Sequence, residues 1–324
     1  MLRRATRTVW LALTVCAITG LWAAQRPAGS STPVAAQSIH IDAVPVPLNP
    51  RDPSATAIGD FLYAGGLALT SQHTDRFREI SDIVVTGQDR LIAVGDGGIF
   101  FTARLVFDAA QRLTGMADAS WAPLVGEDGK PLIGQSRIDA EGLAVLANGD
   151  RLVSFERDHR IWLYPAVGAT PHSVPSPDAT FSSNFGMEAL ATDPTVAPDA
   201  YVVGEEMTGK TWTCRLTMPC VESHTVEKSG EFGLVAMNRL GKETMAYLLR
   251  AYDPFRGVRI MLQIVRSTTV MAQMDMALPL TVDNFEGLAS VPSPNGRTRF
   301  YLMSDDNGSS TQRTLLLAFD WTPK

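Results

Sequence analysis

Acidic side chains recur at matched places along this 324-residue chain. Asp82, Glu141, Glu188 and Glu286 each open a short apolar run, as in Glu141-Gly-Leu-Ala and Glu286-Gly-Leu-Ala. A polar residue closes the returning run in each case: Asp96, Glu156, Glu205 and Asp305, with Arg250 in a fifth, degenerate copy. In an antiparallel hairpin the start of one strand lies beside the end of the next, so these groups are expected to gather at one end of the fold. Crowded carboxylates must take up protons, pair with cations or hold a metal ion. Oxygen-only ligands select hard ions, Ca2+ first and Mg2+ second. The expected ligands are Asp82, Glu141, Glu188, Glu286 and Asp305. Glu156 or His159 is the candidate general base, and Arg157 or Arg250 the candidate anion clamp. Two other outcomes stand beside this one. Strand-start acids can simply cap backbone amides, and Arg157 and Arg250 can neutralise the ring with no metal.

The elements that must position these groups are short strands. From about Leu62 onward, β-rich runs alternate with turn signals, and long runs of 3.6-residue period are missing. One unit reads Asp139-Ala-Glu-Gly-Leu143 with the turn Asn148-Gly149, then Arg151-Leu-Val-Ser-Phe-Glu156, then Arg160-Ile-Trp-Leu-Tyr164. Related starts fall at Ile83, Leu143, Leu190, Leu234 and Leu288, in steps of 60, 47, 44 and 54 residues. About four strands per period of roughly 40–55 residues is the mark of a β-propeller. The expected fold is therefore an all-β propeller, with six blades favoured and five the alternative. Five copies are visible; a sixth blade would come from the long 60-residue step with residues 62–69, or from the two termini joining in one sheet. The inner strands of a propeller line its channel, so the acids converge on one mouth. Asn148-Gly149 and Asn295-Gly296 are read as hairpin turns, and Phe155, Trp162, Tyr164 and Trp212 as blade core.

Composition narrows the classes further. With 45 % apolar and 19 % charged residues the chain carries ample core, which excludes wholesale disorder. A net charge of −6 argues against a nucleic-acid binder. Arg3, Arg4 and Arg7 precede an uncharged apolar run at residues 9–24, too short to span a bilayer, and Val34-Ala35-Ala36 offers a cleavage site. Residues 1–37 are therefore read as an export signal, which makes the expected location periplasmic or secreted, with membrane contact only through an uncleaved signal. Its removal takes away four arginines and no acid, so the charge moves from −6 to −10. Residues 38–60 form a Pro-rich leader that wraps the domain or pairs as an edge strand, and residues 61–324 form the propeller. Cys214 and Cys220, six apart in a chain bound for an oxidising compartment, are expected to form a local disulfide.

Motifs of other chemistries are missing: no Gly-x-Ser-x-Gly elbow, no Walker A loop and no His-Glu-x-x-His. The blocks Ile80-Ser-Asp-Ile-Val-Val, Asp139-Ala-Glu-Gly-Leu143, Ser154-Phe-Glu-Arg-Asp-His-Arg-Ile161, Asn184-Phe-Gly-Met-Glu-Ala-Leu190, Asn284-Phe-Glu-Gly-Leu288 and Met303-Ser-Asp-Asp-Asn307 resemble the phytase-like domain of exported bacterial proteins, the "esterase-like activity of phytase" family. The resemblance covers roughly residues 60–322. It implies a propeller fold and a hydrolase of phosphate or carboxylic esters. The expected partner is a small-molecule ester or phosphoester, and the expected state a monomer. A polyanionic substrate such as phytate demands a cationic pocket or several metals, yet the proposed mouth holds no basic residues beyond Arg157, His159 and Arg250. The alternative class is a non-catalytic periplasmic binding propeller with a structural calcium ion.

Overall fold

The computed structural model describes residues 35–293 and 296–323. The export signal read at residues 1–37 lies almost wholly outside the described residues, as does Asn295 of the second expected hairpin turn. Strands dominate, and the one helix among the described residues is a single turn, Gln135–Ile138.

Four successive antiparallel strands build each of the first four blades. Blade I holds Ile80–Thr86, Arg90–Gly95, Ile99–Phe107 and Leu113–Pro123. Blade II holds Ala140–Val145, Arg151–Phe155, Arg160–Tyr164 and His172–Val174. Ala189–Thr192, Ala200–Gly204, Lys210–Arg215 and Met218–Thr225 form blade III. Gly233–Gly241, Thr244–Asp253, Gly257–Arg266 and Thr269–Met276 form blade IV. Blade V takes Phe285–Pro292, Thr298–Ser304 and Leu315–Trp321 from the C-terminal end and Phe61–Thr70 from the N-terminal end. The five inner strands contact one another in turn and close the ring.

The fold is thus a five-bladed β-propeller. The favoured sixth blade is not formed: the two termini do join in one sheet, but that sheet is blade V. The long step between Ile83 and Leu143 is taken up by the 9- and 11-residue outer strands of blade I and the connection that follows. The leader pairs at sheet edges, with Asp42–Pro45 outside Phe61–Thr70 and Gln37–Ser38 outside Leu113–Pro123, so it ties blade V to blade I.

The strands read apolar on both faces because both faces are covered. In the second strand of blade IV, Ala246 and Leu248 enter the core shared with blade V, while Met245, Tyr247 and Leu249 enter the core shared with blade III. Five such cores fill the five gaps between neighbouring blades. This is what period-2 alternation achieves when each face meets a neighbouring sheet. Phe155, Trp162, Tyr164 and Trp212 are buried there, as expected. Near the axis the strands come close. A Cβ on Gly142 would lie 2.5 Å from the Glu188 carbonyl and 2.7 Å from Ser154 Oγ, so the glycine following Glu141 permits the contact. Cys214 and Cys220 form a disulfide across the outer hairpin of blade III.

Candidate functional site

The strand ends align the polar groups through their own backbone. The amide of Asp96 donates to the Glu79 carbonyl (3.1 Å), that of Glu156 to Asp139 (2.9 Å), that of Glu206 to Gly186 (3.1 Å) and that of Asp305 to Asn284 (3.0 Å). These four residues therefore hold one equivalent position at the end of the second strand. Arg250 holds it in blade IV, paired with Gly233. In blade III the buried mouth residue is Glu206, while Glu205 turns outward and accepts the Thr208 hydroxyl. Side chains alternate along a strand, so a shift of one residue exchanges inside for outside.

Glu141, Glu156 and Glu188 converge, each offering a carboxylate oxygen within 4.8 Å of the others. Asp96, Asp139 and Glu141 form a second such group, so Glu141 belongs to both. Burial, with the charges of Glu188 and Asp96 next, holds the Glu141 carboxyl well above the usual carboxylate range. Glu188 is raised likewise by burial and then by Glu206. Burial and the neighbouring Asp139 push Glu156 up to about 7, and burial pushes Asp96 up to about 6 against the hydrogen bond from Ser81. Burial and Asp96 push Asp305 up to about 8. No lysine or arginine forms an ion pair with Glu141 or Glu188 among the described residues.

The remaining expected residues have other partners. Asp82 is buried, and its two oxygens accept the amides of Ile83 (2.8 Å), Leu143 (2.8 Å) and Leu288 (3.2 Å), so it clasps the inner strands of blades I, II and V. Glu286 is bonded by Arg250 and by Asn284 Nδ2 (2.9 Å). Arg250 also reaches Glu206 (3.1 Å) and Asn284 Oδ1 (2.9 Å). Asp305 accepts the Asn307 amide (2.7 Å). Arg157, in a left-handed turn at φ 59°, donates to Asp139. His159 points its Nε2 at the Ser182 carbonyl (2.8 Å) and its ring at Phe181, which anchors the connection between blades II and III. Gly186 allows this, since a Cβ there would lie 2.6 Å from His159 Cε1.

The structure therefore brings Glu141, Glu188 and Glu156 together, gives Asp82 and Glu286 to amides and to Arg250, and adds Asp139 and Glu206. Asp139 was visible within Asp139-Ala-Glu-Gly-Leu143, and Glu206 within the pair Glu205-Glu206, where sequence alone does not say which one faces inward. Eight carboxyls (Asp96, Asp139, Glu141, Glu156, Glu188, Glu206, Glu286 and Asp305) gather at the mouth, and Arg157 and Arg250 stand against them.

Five sheets around a carboxylate-walled channel mouth define the class, a five-bladed propeller with an acidic centre. The family model described as "Phytase-like: Esterase-like activity of phytase" matches residues 75–308, and the chain belongs to that family. No curated protein matches the chain significantly in sequence. Among solved structures, a streptogramin B lyase is similar at 10 % identity and a TM-score of 0.44, over 87 % of this chain and 98 % of that one. The tail fibre of Staphylococcus aureus phage P68 is similar at 10 % identity and a TM-score of 0.45, over 81 % of this chain. The chain spans about half the length of that fibre protein, 52 %.

Proposed function

We propose that the channel mouth binds a divalent cation, calcium first and magnesium second, and that the protein is an exported hydrolase of small carboxylic or phosphate esters. The observation that carries this reading is the convergence of Glu141, Glu156 and Glu188, with no ion pair to Glu141 or Glu188 among the described residues. An oxygen-only, anionic donor set fits a hard ion, which supplies positive charge to polarise the ester oxygen and acidify a water. Glu141, Glu156 and Glu188 hold the ion. Asp96, grouped with Asp139 and Glu141 beside the ion-holding carboxyls, takes the proton from the attacking water. Arg157, whose side chain is about one-third exposed, presents a guanidinium toward an anionic group of the substrate. The disulfide suits a periplasmic or secreted protein.

The alternative is a binding propeller in which the ion only stabilises the ring. The sharing of Arg250 between Glu206 and Glu286 favours it, since that half of the mouth already holds a cation that offsets part of its charge. Thermal melts of metal-stripped protein with and without calcium test the ion. A saturable rise of several degrees is expected. No shift with calcium, magnesium, manganese or zinc sinks the metal reading. Ester, lactone and phosphoester turnover by Glu141→Gln then separates the classes: lost turnover with a retained fold supports catalysis, while a lost fold supports the structural ion.

A further inference from the structure

The mouth face carries a second feature. The connections of blades III, IV and V wall an open groove of about 660 Å³ that runs outward from Arg250 to Tyr252 and Glu231. Its charges differ from those of the mouth. Each acid that lines it contacts an arginine: Glu206 with Arg250 (3.1 Å), Glu231 with Arg256 (2.6 Å) and Arg259 (2.8 Å), Asp283 with Arg313 (3.4 Å). The walls are therefore close to balanced, and they present donors and acceptors side by side. Asn307, Thr311 and Gln312 add neutral amides and a hydroxyl. Along one side lies Tyr252, 69 % exposed, near the end of the strand Thr244–Asp253, just before the turn that carries Phe255, 98 % exposed.

These properties select a ligand class. A hydroxyl group both donates and accepts, so it suits a wall of carboxylate–arginine pairs and amides. An exposed aromatic ring offers a flat apolar face to the C–H face of a pyranose. A polyanion is opposed by the mouth carboxyls at the groove's inner end, Glu206 among them, and a bare cation finds little net charge along the arginine-paired walls. We propose that the groove binds an uncharged carbohydrate chain, with Tyr252 stacked on one ring and Asn307 and Gln312 bonded to its hydroxyls. This goes beyond the ion-dependent reading and does not rest on it.

Saturation-transfer NMR and calorimetry of the full-length protein test it, with maltotetraose, cellotetraose, xylotetraose, mannotetraose and tetra-N-acetylchitotetraose as probes. Phytate and spermidine serve as the charged comparisons. At least one neutral tetrasaccharide should bind, and Tyr252→Ala should weaken it several-fold. Gln312→Ala should weaken it less, with melting temperatures unchanged in both variants. The proposal is overturned if none of the sugars binds, if Tyr252→Ala leaves binding intact, or if phytate or spermidine binds more tightly than every sugar. A calcium melt of the same samples keeps the two readings apart, because failure of either leaves the other measurement standing.

Discussion

Glu188 works against its own fold. Among the described residues it forms no ion pair, it is desolvated, and the charges of Glu206, Glu156 and Asp96 outweigh the more distant charge of Arg250. Burial holds the Asp82 carboxyl well above the usual range too, but three backbone amides from three blades end on its oxygens and work against that shift. Calorimetry separates the two. In metal-free protein at pH 8, Glu188→Gln should raise the melting temperature by several degrees and abolish the response to calcium. Asp82→Asn replaces one acceptor with a donor facing buried amides, and should cost about 2–3 kcal/mol with or without the ion. A lower melting temperature in Glu188→Gln would show that the charge of Arg250 outweighs the neighbouring acids at this carboxyl. Asp82 directly precedes Ile83, whereas Glu188 lies two residues before Leu190, and that offset of one turns the two acids to opposite sides of their strands.

The inner strands were the most legible elements. An acid followed by small and apolar residues marks the start of Ala140–Val145, Ala189–Thr192 and Phe285–Pro292. Outer strands were less so. Met218–Thr225 is largely exposed and carries little apolar pattern, and Phe61–Thr70 belongs to a sheet whose other strands lie at the far end of the chain. Hence the repeats were visible while the blade count was not. The Cys214–Cys220 pair closes only a short outer loop of blade III, six residues apart in sequence. Replacing both with serine should cost roughly 2 kcal/mol by loop-closure entropy. Denaturant unfolding should detect this loss while the calcium-induced shift stays the same, since the hairpin is remote from the mouth. A lost calcium response would mean that blade III transmits strain from its edge to Glu188.

Over the whole molecule, the raised carboxyls make stability depend on pH. Glu156 at about 7 and Asp305 at about 8 lie above the ordinary values near 4, so the native state binds protons that the unfolded chain has released. Their contribution is complete below the unfolded values and is lost as pH rises through 7 and 8. Metal-free protein should therefore melt highest near pH 5 and progressively lower toward pH 8, and saturating calcium should flatten that profile. A metal-free melting temperature that climbs from pH 5 to pH 8 would contradict the crowded mouth. Ring closure has a temporal consequence as well. Leu315 pairs with Ala68, about 250 residues away in the chain, and such distant pairing makes folding slow. Blades I to IV are built from contiguous segments and can form as the chain is synthesised, whereas blade V must wait for the final strand. The mouth draws a group from every blade, so its assembly is the last event of folding, and a chain cut short before residue 315 would carry four blades and no complete site.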